Sequence, residues 1–516
     1  MNNSQSLLLD TAARWFRQRL REFRVPLITS LVVGFLSYMF AFTNKLVNHD
    51  DVSALFTKGG TVTLGRWGLG AMDSIFPNYS MPWIYGVITL VLIAVSASLL
   101  CSIFQIKKPV LQALLAGYVV AFPSLIGFYT YMFTASSYGV SFLLAAAAVW
   151  ALQLEKKWTP LLAMACMVAS LSIYQAYIAL AASLLVLVLI RELLQGKAVS
   201  KVIKRGLWYL GFLIVSLGLY YLATQCVNLL MHIPLNGYAS DRMQFSLSAL
   251  PQNVLLAYQA FFRAFRSGSD LIPTALGRWM HILCLAASAV LIFLVALWQK
   301  KPRLGRCLLL AALLGLLPLS INCMYLFTTA NAVHTLVLYG FVAIAALFLF
   351  LADLWLSEAP SHPFSLPGTL SVNIMSIAMV IAIVGNIYVA NEVFLNLHLR
   401  YENTYAFYTA LMAKLQEEPT YSENTVLAVV GDLPSPDFYQ EHFAQVYPIQ
   451  GSAGIIPSVY SKDKFLEYYL GLSIPMASDA EIEAIRQSPQ FAEMPRYPYS
   501  GSMKMVGDTF VVKLSD

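Results

Sequence analysis

Long apolar runs alternate with short polar connectors along most of the chain. They fall at residues 26–44, 83–106, 109–128, 138–154, 159–173, 176–192, 207–230, 279–299, 306–325, 333–356 and 369–390. An α-helix rises about 1.5 Å per residue, so roughly 20 apolar residues cross a hydrocarbon core about 30 Å thick. Lipid offers no partner to backbone N–H and C=O groups, so runs of this length must be helices. The pattern predicts an all-α polytopic membrane protein with about 11 transmembrane helices. Runs 159–173 and 176–192 are short and share a hinge at "IYQAY". Beyond residue 390 the periodicity changes. Residues 391–418 read as a helix, and "TVLAVVGD" and "DTFVVKLS" as strands. Three regions follow: a basic segment 1–25, a transmembrane domain 26–390 with long loops at 45–82 and 231–278, and a C-terminal α/β segment 391–516.

Charge orients these spans. Lys and Arg collect in short cytoplasmic loops. The N-terminal segment carries Arg14, Arg17, Arg19, Arg21 and Arg24. Alternate loops carry Lys107 and Lys108; Lys156 and Lys157; Arg191, Lys197, Lys201, Lys204 and Arg205; and Lys300, Lys301, Arg303 and Arg306. Only 357–368 adds no basic residue. The expected topology has the N-terminus in the cytoplasm and the C-terminal segment outside. Both long loops then face outward, and so does any chemistry they carry.

Composition narrows the class further. Hydrophobic residues make up 58% of the chain and charged residues 12%, against about 25% charged in soluble domains. The net charge of +6 is spread over short loops, which argues against a nucleic-acid partner. The six cysteines lie in or near apolar runs and form no CxxC, so neither disulfides nor a cysteine metal site is expected. The N-terminus lacks the small-residue cleavage site of a signal peptide. No span holds an ionisable group near its middle, which argues against an ion-coupled transporter. Neither a GxGxxG turn nor a P-loop occurs.

The outward loops hold the candidate chemistry. "NHDD" places His49, Asp50 and Asp51 about one turn beyond the first span. Adjacent carboxylates repel, and one of them can accept a proton as general base, with His49 orienting an acid or stabilising charge. The same residues would also serve as a helix cap. "GRWG" follows, with Arg66 and Trp67 between Gly65 and Gly68. Arg66 suits a phosphate, and Trp67 suits a sugar face or the headgroup layer. The second loop adds Arg242, Arg263, Arg266 and Arg278. Outward arginines oppose the usual charge bias and call for an anionic partner. Tyr174, Gln175 and Tyr177 at the hinge suit sugar hydroxyls or an interfacial belt. The same holds for Asn331 and His334 in "NAVHTLVLYG", and for His398, Arg400 and Tyr401 in "NLHLRYENTY".

An acidic pair in the first outward loop, then GRW, then the YQAY hinge, on a chain of this length, resembles the Gtr-type serotype-converting glucosyltransferases. Those belong to the GT-C class of membrane glycosyltransferases. The resemblance covers roughly residues 26–400 and fades in the tail. It implies a GT-C-like fold in the bacterial cytoplasmic (inner) membrane. It implies a hexose, glucose first, moved from undecaprenyl-phosphate-sugar to a surface polysaccharide such as O-antigen or a cell-wall glycan, by inverting displacement. Carried over, the base is Asp51 or Asp50, with Asp51 slightly favoured. The donor phosphate falls to Arg66 and Arg278 with His49, and the sugars to Trp67, Tyr174, Gln175, Tyr177, His334, Arg400 and Tyr401. No cofactor is required, although Asp50 and Asp51 offer oxygens to a divalent cation. The implied partners are the donor lipid, the polysaccharide acceptor and the bilayer, with a functional link to a polyprenyl-phosphate glucose synthase and a flippase. A lipid-linked glycan flippase or exporter is the alternative, but its path would need polar groups across the membrane. A non-catalytic assembly protein would not need paired acids beside an arginine-rich loop.

Overall fold

The computed structural model describes residues 21–46, 48–56, 64–76, 79–154, 156–232, 247–267, 271–298, 304–328, 333–358, 365–431, 449 and 461–516. Arg242, Asn331 and the basic residues of 1–20 lie outside them, as do Lys300, Lys301 and Arg303. Among the described residues, nine helices are long and apolar enough to cross a membrane. A broken pair, α5 (Pro109–Ala121) and α6 (Pro123–Thr130), bends by 41° and makes a tenth. The shorter α8 (Thr159–Ile173) accounts for the eleventh apolar run. The protein is a polytopic all-α membrane protein with a small C-terminal sheet.

Several elements differ from the pattern, each for a local reason. Pro123 has no N–H to continue α5, so the 109–128 run breaks there. The 333–356 run begins as two short 3₁₀ turns, Thr335–Val337 and Tyr339–Phe341, before α14 (Val342–Glu358). Gly340 lies against the Ile321 and Ala179 carbonyls there, which leaves no room for a side chain. The last run and the following amphipathic stretch form one continuous helix, α15 (Ser365–Glu417), of 53 residues. Hydropathy marks only where such a helix leaves lipid, not where it ends. The second loop contains an amphipathic helix, α11 (Leu250–Arg266), which the span pattern misses.

The bundle is built around α4 (Pro82–Ile103), α7 (Met132–Ala151) and α9 (Tyr177–Leu194). α1 (Arg24–Thr43), α4 and α5 pack together, and α7 is flanked by α4 and α8. Small residues permit this: an added Cβ on Gly34 would strike Leu90, and one on Gly86 would strike Phe42. Buried tyrosines satisfy broken backbone, as Tyr38 Oη donates to the Val120 carbonyl (2.7 Å) and Tyr339 Oη to Val119 (3.0 Å). The end expected to face the cytoplasm is closed by ionic contacts. Glu192, fully buried, pairs with Lys197 (2.8 Å) and Arg205. Asp353 accepts from the Lys107 and Lys108 N–H groups (2.9 and 2.8 Å), capping α5 across the bundle.

The tail is a three-stranded sheet in the order β1 (Val426–Val430), β3 (Thr509–Lys513), β2 (Met503–Val506). β1 pairs β3 in parallel, and β2 pairs it antiparallel. β2 falls where the sequence reads only as mixed structure. The sheet's core includes Phe510 and Val512 and joins the end of α15 through Phe407, Tyr408 and Leu411, and α16 (Lys462–Leu470) through Phe465 and Leu466.

The Asp353 cap generates a prediction. Asp353→Ala should lower unfolding stability in detergent by about 1–2 kcal/mol, since two donors lose their acceptor. Asp353→Asn, which retains a carbonyl oxygen, should lose less. Equal stability of Asp353→Ala and the parent protein in chemical unfolding would remove the cap from the account.

Candidate functional site

The end of the bundle expected to face outward carries the acid pair Asp50 and Asp51. After α1 the chain turns at Asn44 into a five-residue helix, α2 (His49–Ser53). Asn48 is its cap, and its Oδ1 accepts the Asp51 N–H at 2.7 Å. The Asn48 amide also donates to the Thr130 carbonyl. The capping reading of "NHDD" is thus met by Asn48, which leaves both carboxylates for other work.

Asp51 is 1% exposed. Its carboxylate takes the Lys45 ammonium, the Ser80 hydroxyl and the Phe133 N–H (3.2 Å). Phe133 is the second residue of α7, so Asp51 sits at the positive end of a 20-residue helix. Lys45 Nζ also donates to Ser80 Oγ at 2.6 Å. A buried carboxylate needs this company, because an isolated ion would be strongly penalised there. Asp50 differs: its side chain is 41% exposed, with His49 Nε2 3.7 Å from its Oδ1. The His49 ring lies edge-on to Tyr131 at 6.3 Å. Two adjacent acids thus occupy different environments, one buried and one half-exposed.

A second cluster forms on the same helix, α7. Arg66 precedes α3 (Trp67–Met72). Its guanidinium lies 4.8 Å from the Tyr174 ring centre, and Nη1 donates to Tyr138 Oη at 3.4 Å. Tyr138 stacks on Tyr174 at 4.5 Å. Trp67 Nε1 donates to Thr224 Oγ1 (3.2 Å). Gln175 Nε2 donates to the Leu64 carbonyl (3.1 Å) and to Tyr220 Oη (2.8 Å). The glycines are structural requirements: Gly65 has φ +72°, and a Cβ on Gly68 would lie 2.0 Å from Ser172 Oγ. The GRWG turn is therefore seated on the YQAY hinge. Phe133 and Tyr138 lie five residues apart on α7, about 7.5 Å of helix rise, so one helix carries both the acid anchor and the arginine cluster.

The remaining candidates divide. Tyr177 is fully buried against Phe128 and Phe142 and acts as core. His334 precedes the 3₁₀ turns beside the α5–α6 break, where Ser124 Oγ donates to the Thr335 carbonyl. Arg278 opens α12 (Ala275–Trp298), which packs on α14 and α15. Tyr401 belongs to the tail: its ring meets Tyr469 at 5.7 Å and Phe465 at 6.2 Å. Arg400 precedes it on α15.

Three features escape the sequence reading. Lys45 opens the loop 45–82, six residues before Asp51, yet reads as an ordinary membrane-edge lysine. Ser80 carries no signal at all. The third is the tail, whose core receives Val52, the neighbour of Asp51, as a fully buried side chain. Tyr469 stacks on Phe465 (4.8 Å), and burial with the negative charge of Asp51 pushes its phenol pKa upward. Also unremarked in sequence is His281 of α12, buried, with Nδ1 2.7 Å from the Gly277 carbonyl and Nε2 2.7 Å from Tyr118 Oη. As Nδ1 must donate to that carbonyl, the tyrosine donates to Nε2.

Among the described residues no three His, Cys, Asp or Glu side chains gather into a metal site. At Asp51 the Lys45 ammonium already takes the position a cation would need.

Fold and site define a polytopic membrane protein with an acid pair and an arginine cluster at one mouth of the bundle. The family model for glucosyl transferase GtrII matches residues 39–350, more than half of the chain. The chain belongs to that family and is a membrane glucosyltransferase. No curated protein and no solved structure matches it.

The Lys45–Asp51 contact makes a prediction. Lys45→Met leaves a buried charge unpaired and should destabilise by about 2–4 kcal/mol. Lys45→Met combined with Asp51→Asn should lose less than the sum of the two single variants. Additive losses in chemical unfolding would show that the pair is not coupled.

Proposed function

We propose that the protein transfers glucose from undecaprenyl-phosphate glucose to a hydroxyl of a surface polysaccharide, on the outer side of the bacterial cytoplasmic membrane. The carrying observation is the split pair, with Asp51 buried in a ring of donors and Asp50 half-exposed beside it, and with Asp51 and Arg66 both bonded to one helix, α7, through Phe133 and Tyr138. In this reading Asp50 is the general base and Asp51 holds α2 in place. The acceptor oxygen attacks C1 of glucose, the C1–O bond to phosphate breaks, and Asp50 takes the hydroxyl proton. C1 inverts in this single displacement. Arg66 meets the charge that develops on the leaving phosphate, where preorganised cations are most effective. Lys45 stands behind Asp51 and pairs with its carboxylate. Basic side chains then do the work that a metal does elsewhere, and no cofactor is needed. Arg278 and His49 remain secondary phosphate candidates, and Trp67 a sugar-stacking one.

Family membership supports glucosyl transfer as the reaction class. The lipid-phosphate donor is supported by a site at the membrane edge and by the lack of any nucleotide-binding loop. Undecaprenyl-phosphate glucose synthesis and flipping would then be supplied by other proteins. Topology follows from the lysine and arginine bias across four loops. Alkaline phosphatase fused after Asp516 should be active in bacterial cells, and inactive when fused after Lys157. The reverse pattern would turn the site to the cytoplasm and sink the reading.

The catalytic test uses purified protein in nanodiscs, labelled undecaprenyl-phosphate glucose, and polysaccharide from cells of the source strain that lack this protein. Asp50→Asn should slow transfer about 10²- to 10⁴-fold, the range for removal of a general base. Transfer at the parent rate by Asp50→Asn would rule out that role.

A further inference from the structure

Three aromatic rings from three parts of the chain meet beside the acid pair. Phe56 lies just past α2, Tyr79 precedes α4, and Tyr468 is on α16 of the tail. The Phe56 ring centre is 5.0 Å from that of Tyr468 and 6.1 Å from that of Tyr79, edge-on to both. Phe56 is 58% exposed and Tyr79 49% exposed. Lys464 Nζ lies 5.6 Å from the Tyr468 ring centre.

Each ring is tied to the acids by its chain neighbour. Ser80, next to Tyr79, donates to Asp51. Tyr469, next to Tyr468, feels the Asp51 charge. Phe56 follows the helix that carries Asp50 and Asp51, and Val52 of that helix is buried in the tail's core. The rings therefore border the site with fixed geometry. A purely interfacial belt would draw on residues at the lipid surface alone, yet Tyr468 comes from the tail, beyond the last span.

We propose that Phe56, Tyr79 and Tyr468 form the subsite for a pyranose ring of the acceptor glycan, next to the sugar whose hydroxyl reacts. The C–H face of a pyranose is apolar and slightly positive, complementary to the negative face of an aromatic ring. The occupant is the acceptor and not the donor, because the donor sugar is tethered to a phosphate at the lipid surface, whereas these rings are joined to the tail beyond the last span through Tyr468 and keep exposed surface on Phe56 and Tyr79. The inference rests on the glucosyl-transfer reading for its substrate. It adds that the tail, outside residues 39–350, takes part in choosing the acceptor.

The test measures two things on the same samples: transfer of labelled glucose, and direct binding of the delipidated polysaccharide by thermophoresis. Phe56→Leu keeps apolar bulk and loses the ring. It should raise the acceptor KM and the polysaccharide Kd about tenfold, move the donor KM less than twofold, and leave the unfolding midpoint in place. Tyr468→Leu should act in the same direction, and Phe56→Tyr should restore the parent values. Parent-like acceptor KM and Kd in Phe56→Leu and Tyr468→Leu would overturn the subsite, as would a shift in donor KM instead. Phe56-dependent binding without any transfer by the parent protein would uphold the subsite and overturn glucosyl transfer. A parent protein that neither binds nor transfers would overturn both.

Discussion

One mouth of the helix bundle is organised by a single buried carboxylate. Asp51 joins a lysine from the end of α1, a serine from the start of α4 and a backbone N–H at the start of α7. Three helix ends thus converge on one group. A buried ion is stable only when paired and hydrogen-bonded, so the carboxylate holds those ends in register as much as they hold it. Asp50 gains its exposed position from this arrangement. It projects from a helix of five residues that could not keep its shape alone, since isolated helices of that length are unstable. Its order comes from Asn48, Asp51 and Val52, which fasten it to the bundle on one side and the tail on the other.

Much of the membrane domain was legible in the chain because lipid imposes a simple rule. Backbone must be satisfied within each crossing, so apolar length maps to helices almost one for one. The rule fails where other protein, and not lipid, surrounds the backbone. Pro123 interrupts one run, and Gly340 allows a tight turn in another, because the Tyr38, Tyr339 and Ser124 hydroxyls donate to the carbonyls left over. The long α15 defeats the rule differently, because a helix does not stop where its hydrophobicity stops.

The site was legible in parts. The acids, the GRW turn and the hinge lie more than 100 residues apart in the extreme, yet the two latter meet through Arg66, Tyr174 and Gln175. Short motifs with unusual residues for a membrane edge stand out even without knowledge of contacts. Lys45, Ser80 and Tyr468 did not stand out, since a lysine, a serine and a tyrosine near a membrane surface are ordinary. Their significance comes only from what lies across from them. Arg278 shows the converse: its GRW repeats the earlier motif, but the helix that bears it packs elsewhere in the bundle.

The single helix from Ser365 to Glu417 has a mechanical meaning as well as an architectural one. At about 1.5 Å per residue it is roughly 80 Å long, of which a bilayer core covers only about 30 Å. The tail is therefore mounted on a stiff mast rooted in lipid. The mast's lipid-embedded part packs on α1 and α12, which fix its tilt, and Tyr401 and Phe407 further along lie against the tail's core. Val52, beside the acids, is buried in that same core, so the mast sets the distance between lipid and tail as a fixed length, and the acids are held at one depth by a ruler made of backbone.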